Sequence, residues 1–203
     1  MKNRDLLRSG NEVKLGRHAF IRLVIQDFPM VKNTAYGSSN GKGNMLIGII
    51  SDTHDNMPQI KKAVELFNER GIEHAIHAGD FTSPFTFRVL KGLKCGFTGV
   101  FGNNDGDKLL LHKMSAGRVF PHPHIFELEG RKIVVIHEHH IADALADSGH
   151  YDLVIYGHTH KPEIRKIKNT LVINPGEAGS WLYGKSTVAI ADLALMTAEI
   201  MPL

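Results

Sequence analysis

From residue 45 onward the chain alternates between short apolar runs and segments with a helical period. The apolar, β-branched runs fall at 46–50, 74–78, 96–101, 132–136, 152–156, 170–173 and 187–193. Each has the length of a strand, and unbroken hydrophobicity is what a strand buried on both faces requires. Between the early runs, residues 57–70 place Ile60, Ala63, Val64 and Phe67 on one helical face. Asn56 stands before them as an N-cap, Pro58 lies in the first turn and Gly71 follows the end. A second helix opens at Ser83-Pro84 and runs to about Lys91; Gly106 to Ala116, closed by Gly117, and Ile141 to Ser148 predict two more. Strands alternating with helices predict βαβ units and a largely parallel sheet in the first part. The strand-rich stretch after 150 predicts a second sheet packed on the first.

Residues 1–44 break this pattern. They hold one short apolar segment, Phe20 to Ile25, and a polar stretch from Tyr36 to Asn44 with the composition of a linker. Neither is a secretory leader, which needs a longer apolar region followed by a small-residue cleavage site. An arm that carries Arg and few acids is compatible with an organelle transit peptide, but Met45 opening directly into a strand favours a simpler expectation. Residues 1–44 form a dispensable extension or a misassigned start, and 45–203 form the functional domain.

Charge sharpens this division. The arm carries eight Lys/Arg against three Asp/Glu, whereas 45–203 carries sixteen against eighteen. The body is therefore slightly acidic, and strong nucleic-acid binding, which needs a basic stripe on the folded domain, is not expected. A membrane partner is not expected either, because the longest apolar runs are far short of the roughly 20 residues of a span. The lone Cys95 excludes an internal disulfide framework and fits a reducing, cytoplasmic setting. An ordinary thiol is the expectation for it.

The thirteen histidines change the picture most, because twelve lie between 54 and 160 and neutral imidazole is a common metal ligand. Five apolar runs end in clusters of such ligands: Asp52-Thr-His54-Asp55, Gly79-Asp80, Gly102-Asn103-Asn104-Asp105, His137-Glu138-His139 and Gly157-His158-Thr-His160. Ligands of open α/β sheets gather outside the carboxyl ends of strands. Five such ends side by side bring carboxylates, an amide and at least four imidazoles into one cleft. That is too many for one four-coordinate zinc, and it suits two ions sharing a carboxylate. His74, His77, His122 and His124 read instead as packing or surface residues.

Taken together, these motifs resemble the signature of the calcineurin-like metallophosphoesterases, in particular their small single-domain archaeal and bacterial phosphodiesterase branch. The resemblance covers about residues 45–203, including Val172-Ile-Asn-Pro-Gly176. It implies a four-layer α/β/β/α sandwich, two packed mixed sheets flanked by helices, with a dinuclear site at one edge. Carried over by motif, one ion would be held by Asp52, His54, Asp80 and His160, and the other by Asp80, Asn103, His137 and His158, with Asp80 bridging. The implied reaction is in-line attack on a phosphodiester by a hydroxide bridging two divalent ions, which clamp the phosphoryl group. Mixed imidazole, carboxylate and amide ligation favours manganese, with nickel, iron or zinc also compatible.

The chain departs from that pattern at two positions. Many relatives carry His where Asn104 stands, so proton transfer to the leaving group passes from that position and Asn104 is left to contact phosphate through its amide. His139 is then the candidate acid. Glu138 stands where Gly is usual, and it either restricts an anionic substrate or points away. The expected substrate is a small phosphodiester, with Trp181 and Tyr183 placed to stack a base; a homo-oligomer is left open. Two alternatives remain: a non-catalytic interaction scaffold of the same fold, like a eukaryotic trafficking subunit, and a phosphomonoesterase or nuclease.

Overall fold

The computed structural model describes residues 44–203, so the expectations for the arm fall outside the described residues. In chain order the elements are β1 (Leu46–Ile50), α1 (Met57–Glu69), β2 (His74–His77), α2 (Phe87–Leu90), β3 (Gly96–Val100), α3 (Lys108–Met114), β4 (Val119–Phe120), β5 (His124–Leu128), β6 (Arg131–Val135), α4 (Ala142–Asp147), β7 (Leu153–Ile155), β8 (Glu163–Ile167), β9 (Thr170–Asn174), β10 (Thr187–Asp192) and β11 (Thr197–Pro202). The predicted helix at 57–70 forms with its expected buried face, and the Asn56 side chain accepts from the Gln59 amide as its N-cap. The helix expected from Ser83-Pro84 begins as a 3-10 turn, Pro84–Thr86, before α2.

Two sheets stack. One has the order β11-β10-β1-β2-β3-β4 and the other β5-β6-β7-β9-β8. Strands β1 to β4 run parallel, as do β6, β7 and β9, while β10 lies antiparallel to β1. The second sheet therefore begins at residue 124 rather than after 150, and the last two strands return to the first sheet. The reason is burial: Val188 and Ile190 of β10 face the helices, while Ala189 and Ala191 face the other sheet. A strand apolar on both sides is stable only inside a sheet covered on both faces.

Three apolar layers result. Helices α1 and α2 and Leu111 of α3 pack on the outer face of the first sheet through Ile60, Phe67, Phe87 and Leu90. Ile47, Ile49, Ile76 and Val100 meet Ile133, Val135, Ile155 and Ile173 between the sheets. Helix α4 covers the second sheet through Ala142 and Ala146 on Val134, Val154 and Val172. This is the four-layer α/β/β/α sandwich. Phe67 sits directly over Gly48, where an added methyl would come within 2.8 Å of the ring, and its truncation to Ala would cost about 3–5 kcal/mol. No described helix is long and apolar enough to cross a membrane.

Candidate metal centre and its cleft

Because β1, β2 and β3 run parallel in one sheet and β6, β7 and β9 in the other, their carboxyl ends lie on one edge of both sheets, and the loops leaving them are stitched together. The amide of Asp52 donates to Gly79 O (3.0 Å), that of Thr53 to Asp80 O (3.0 Å), that of Gly157 to His137 O (3.1 Å) and that of Ala178 to Ser51 O (3.0 Å). Five of the seven predicted metal ligands adopt left-handed backbone: Asp52 (φ 51°), His54 (41°), Asp80 (60°), His158 (66°) and His160 (60°). Non-glycine residues held this way cost roughly 1 kcal/mol or more each, and such strain concentrates at functional sites.

The seven side chains do come together. His54 Nε2 and His137 Nε2 lie 3.6 and 3.3 Å from the same oxygen of Asp80, Oδ2, and His160 Nε2 lies 3.4 Å from Asp52 Oδ1. Asn103 Oδ1 sits 2.8 Å from His137 Nε2 and 3.0 Å from His158 Nδ1. Two trios converge closely enough to hold an ion, Asp52/His54/His160 and Asp52/Asp80/His137. Asp52 is the carboxylate common to both, whereas Asp80, the expected bridge, faces His54 on one side and His137 on the other. Two buried carboxylates, four imidazoles and one amide oxygen aimed at a common space are a donor set that fits divalent ions. Binding would replace the protons now shared among Asn103, His137 and His158.

The glycines act by close approach. A Cβ on Gly102 would stand 2.1 Å from Asp80 Oδ1 and 2.3 Å from its amide nitrogen, and one on Gly157 would meet Ser51 Oγ at 2.1 Å. Neither has positive φ; of the three motif glycines only Gly79 does (102°). The left-handed turn is therefore confined to Gly79, and at the other two space is what matters.

Electrostatics follow from burial and neighbours. Desolvation alone would raise the Asp80 carboxyl, but His137 and two donors from Asn104, its backbone and side-chain N–H at 2.8 Å each, hold it well below the carboxylate range. Burial pushes Asp52 up, against the pull of His137 and Ser51. Burial also opposes protonation of His137, yet the hydrogen bond and charge of Asp80 raise it. Its Nδ1 is fixed on Ala78 O at 2.8 Å, the backbone anchoring typical of ligating imidazoles.

Around this centre the remaining predicted residues divide. Asn104 gives its side-chain N–H to Asp80 and also lines a cleft of about 370 Å³ with His54, His160, Trp181 and Leu182. Among the described residues the cleft's lining carries no lysine or arginine. Trp181 and Leu182 are 65% and 66% exposed and form an open apolar wall, and the indole N–H donates to His54 O at 3.3 Å. His139 is exposed, stacked 5.8 Å from the His158 ring, outside that lining. Glu138 is half-buried, and its charge is felt at His158 and His122. Asp105 braces the loop, accepting from the Thr82 and Gly102 amides at 2.7 Å. Burial pushes the pKa of the partly buried Cys95 thiol up to about 11, which keeps it in the thiol form.

One residue at this edge escaped the sequence reading. Glu177 is 1% exposed, accepts from the Trp181 amide at 2.6 Å and the Leu182 amide at 3.1 Å, and lies 3.3 Å from His160 Nδ1. The signal was present: Glu177 follows the sixth interior parallel strand, β9, just as the other clusters follow theirs.

Known proteins share this chain's fold and much of its sequence. A family model described as the calcineurin-like phosphoesterase superfamily domain matches residues 45–195. A phosphodiesterase of Methanocaldococcus jannaschii is 38% identical over 154 residues, covering 73% of this chain and 93% of that protein. A probable metallophosphoesterase of Methanothermobacter thermautotrophicus is 34% identical over 65% of this chain and 76% of its own length. Among solved structures, an archaeal phosphodiesterase superposes with a TM-score of 0.74 at 36% identity, covering 78% of this chain and all of that one. Vacuolar protein sorting 29 from Cryptosporidium parvum superposes at 0.56 with 18% identity, over 79% of this chain and 97% of that one; that likeness shows the fold alone.

Proposed function

We propose that this chain, which belongs to the calcineurin-like phosphoesterase superfamily and is thereby a hydrolase of phosphoric esters, is a phosphodiesterase working through two divalent ions, manganese foremost. The observation that carries this reading is the pair of convergent trios sharing Asp52, set against a cleft whose lining, among the described residues, holds no lysine or arginine. A phosphomonoester dianion calls for fixed positive charge beside the ions; a diester carries a single negative charge and needs less. When bound, the two ions supply an acidified shared water and neutralise charge on the transferring phosphoryl group.

The chain's own residues do the rest. Asp52 and Asp80 present their oxygens from left-handed backbone that the crossing hydrogen bonds hold in place. Asn103 spans His137 and His158 through one oxygen. Asn104 keeps Asp80 ionised and oriented, which leaves its amide little freedom to move a proton, so diesters with good leaving groups are the best substrates. His139, stacked on His158 at the open side, is the nearest candidate to protonate a poorer leaving group. Trp181 and Leu182 offer an apolar face to one ester group. The scaffold alternative would leave this buried, strained donor set without a role.

The test is hydrolysis of an activated aryl phosphodiester by protein stripped with chelator and reloaded with Mn, Ni, Zn or Mg. Turnover is expected to depend on added metal and to fall at least 100-fold in Asn103→Ala and His158→Ala. Two bound ions per chain with no turnover on diesters, monoesters or oligonucleotides would overturn the enzyme reading.

A further inference from the structure

Glu177 touches both the ligand set and the apolar wall. Oε1 accepts from the Trp181 amide at 2.6 Å, the Leu182 amide is shared between Oε1 (3.2 Å) and Oε2 (3.1 Å), and Oε2 lies 3.3 Å from His160 Nδ1. His160 turns its other nitrogen, Nε2, to Asp52 at 3.4 Å. As it stands, His160 Nδ1 is buried with no aligned hydrogen-bond partner, so the carboxyl is in reach of the ring but not yet in line with it. The wall is also pinned to the loop carrying Asp52 and His54. The Gly179 amide donates to Asp52 O (2.9 Å), the Asn56 side chain to Gly179 O (2.7 Å) and the Trp181 indole to His54 O (3.3 Å).

We infer that Glu177 is a positioning residue that couples ion occupancy at His160 to the placement of the Trp181–Leu182 wall, so that the ester-binding face is set only when the ion is in place. This deepens the proposed reading and rests on it. The chemistry is that of an imidazole steered through its far nitrogen. A carboxylate accepting from Nδ1–H leaves the Nε2 lone pair free to ligate and makes it more basic. A turn of the Glu177 carboxylate that brings Oε2 into line with Nδ1–H also shifts the Leu182 amide, which the two oxygens share, toward Oε1, so the two adjustments are one. Coupling of this kind is reciprocal: occupancy of the wall tightens the ion as much as the ion orders the wall.

Trp181 is the only tryptophan of the chain, so its emission reports the wall directly. The full chain, stripped with chelator, is titrated with Zn²⁺, which is diamagnetic and leaves indole emission free of paramagnetic quenching. In the wild type, Trp181 emission is expected to change saturably as ions bind, and the Trp181 and Leu182 amides are expected to gain hydrogen-exchange protection. In Glu177→Gln the side-chain carbonyl still accepts from the wall, but the amide N–H₂ now faces His160 Nδ1 as a donor and places the proton on Nε2. The weaker variant site is expected to lose roughly ten- to hundredfold in Zn²⁺ affinity, and the emission response is expected to disappear. Wild-type affinity and response in a folded Glu177→Gln protein would overturn the coupling. Should that variant not fold, the wild type alone decides. Two bound Zn²⁺ with silent emission and unchanged exchange overturn the coupling and leave the phosphoesterase reading intact; no Zn²⁺ binding at all overturns both.

Discussion

Strand β2 begins with His74 and ends with His77, and both rings are buried. At the entering end, His74 Nε2 meets Thr98 Oγ1 on β3 at 2.9 Å and its ring fills the space over Gly96. At the leaving end, His77 Nδ1 accepts from the Gly79 amide, which leaves Nε2–H to donate to Thr53 Oγ1 at 3.1 Å, and Thr53 in turn donates to Asp80 O. His77 also stacks on Phe81, 3.6 Å between centroids. Burial pushes both pKa values down, His74 to about 4 and His77 well below its ordinary value. The same side chain in the same strand thus packs a core at one edge and braces the ligand loops at the other. Burial fixes its charge state, and the local partners decide its use.

Glycine substitution should break the two edges in different ways and gives the largest effect. In Gly102→Ala the new methyl meets the Asp80 backbone, which cannot yield, so stability is expected to fall by about 3 kcal/mol or more. Metal content and turnover are expected to be lost with it. In Gly96→Ala the clash is with the His74 ring, 2.4 Å from Nδ1, and a loss of about 1–3 kcal/mol should leave metal content unchanged. Denaturant titration with metal analysis reads both; equal loss of metal in the two variants would erase the distinction between the edges.

Acid should separate them next. His74 has a folded pKa of about 4 against an ordinary 6.5, because burial and the nearby Arg118 oppose its charge. The fold therefore favours the neutral ring, and this contribution is complete above pH 6.5 and lost as pH falls through 4. It amounts to about 3 kcal/mol. The stability difference between wild type and His74→Gln should shrink by that order from pH 7 to pH 4; a pH-independent difference would show that His74 does not carry the acid sensitivity. The smallest expected effect is that of removing residues 1–44, which should leave melting temperature and metal content nearly unchanged, since both edges of β2 lie in the domain beginning at 45. A large loss of either would make the arm part of the fold.

The site was legible in the sequence to the extent that it is local. A ligand pair such as Asp52 and His54 follows its strand within four residues, so spacing after an apolar run was enough to find it. Glu177 needed two contacts that no local pattern announces, one with a ring 17 positions earlier and one with amides of its own loop. That Asp80 stands between His54 and His137 while Asp52 faces His160 depends on how the loops cross.

The same division holds for the fold. The seven apolar runs are the seven interior strands, β1, β2, β3, β6, β7, β9 and β10, each covered on both sides by a neighbouring strand. The four strands without such a run, β4, β5, β8 and β11, are the four edges of the two sheets. Sequences such as Glu163-Ile-Arg-Lys-Ile167 in β8 are half-polar, as edge strands are. Burial on both faces writes itself into every residue of a strand, so the sequence alone determined the interior strands, the helical faces and the clusters of candidate ligands at the strand ends. Which strand lies beside which, the return of β10 to the first sheet and the placing of Glu177 under His160 depend on contacts between distant segments. Those the tertiary structure decided.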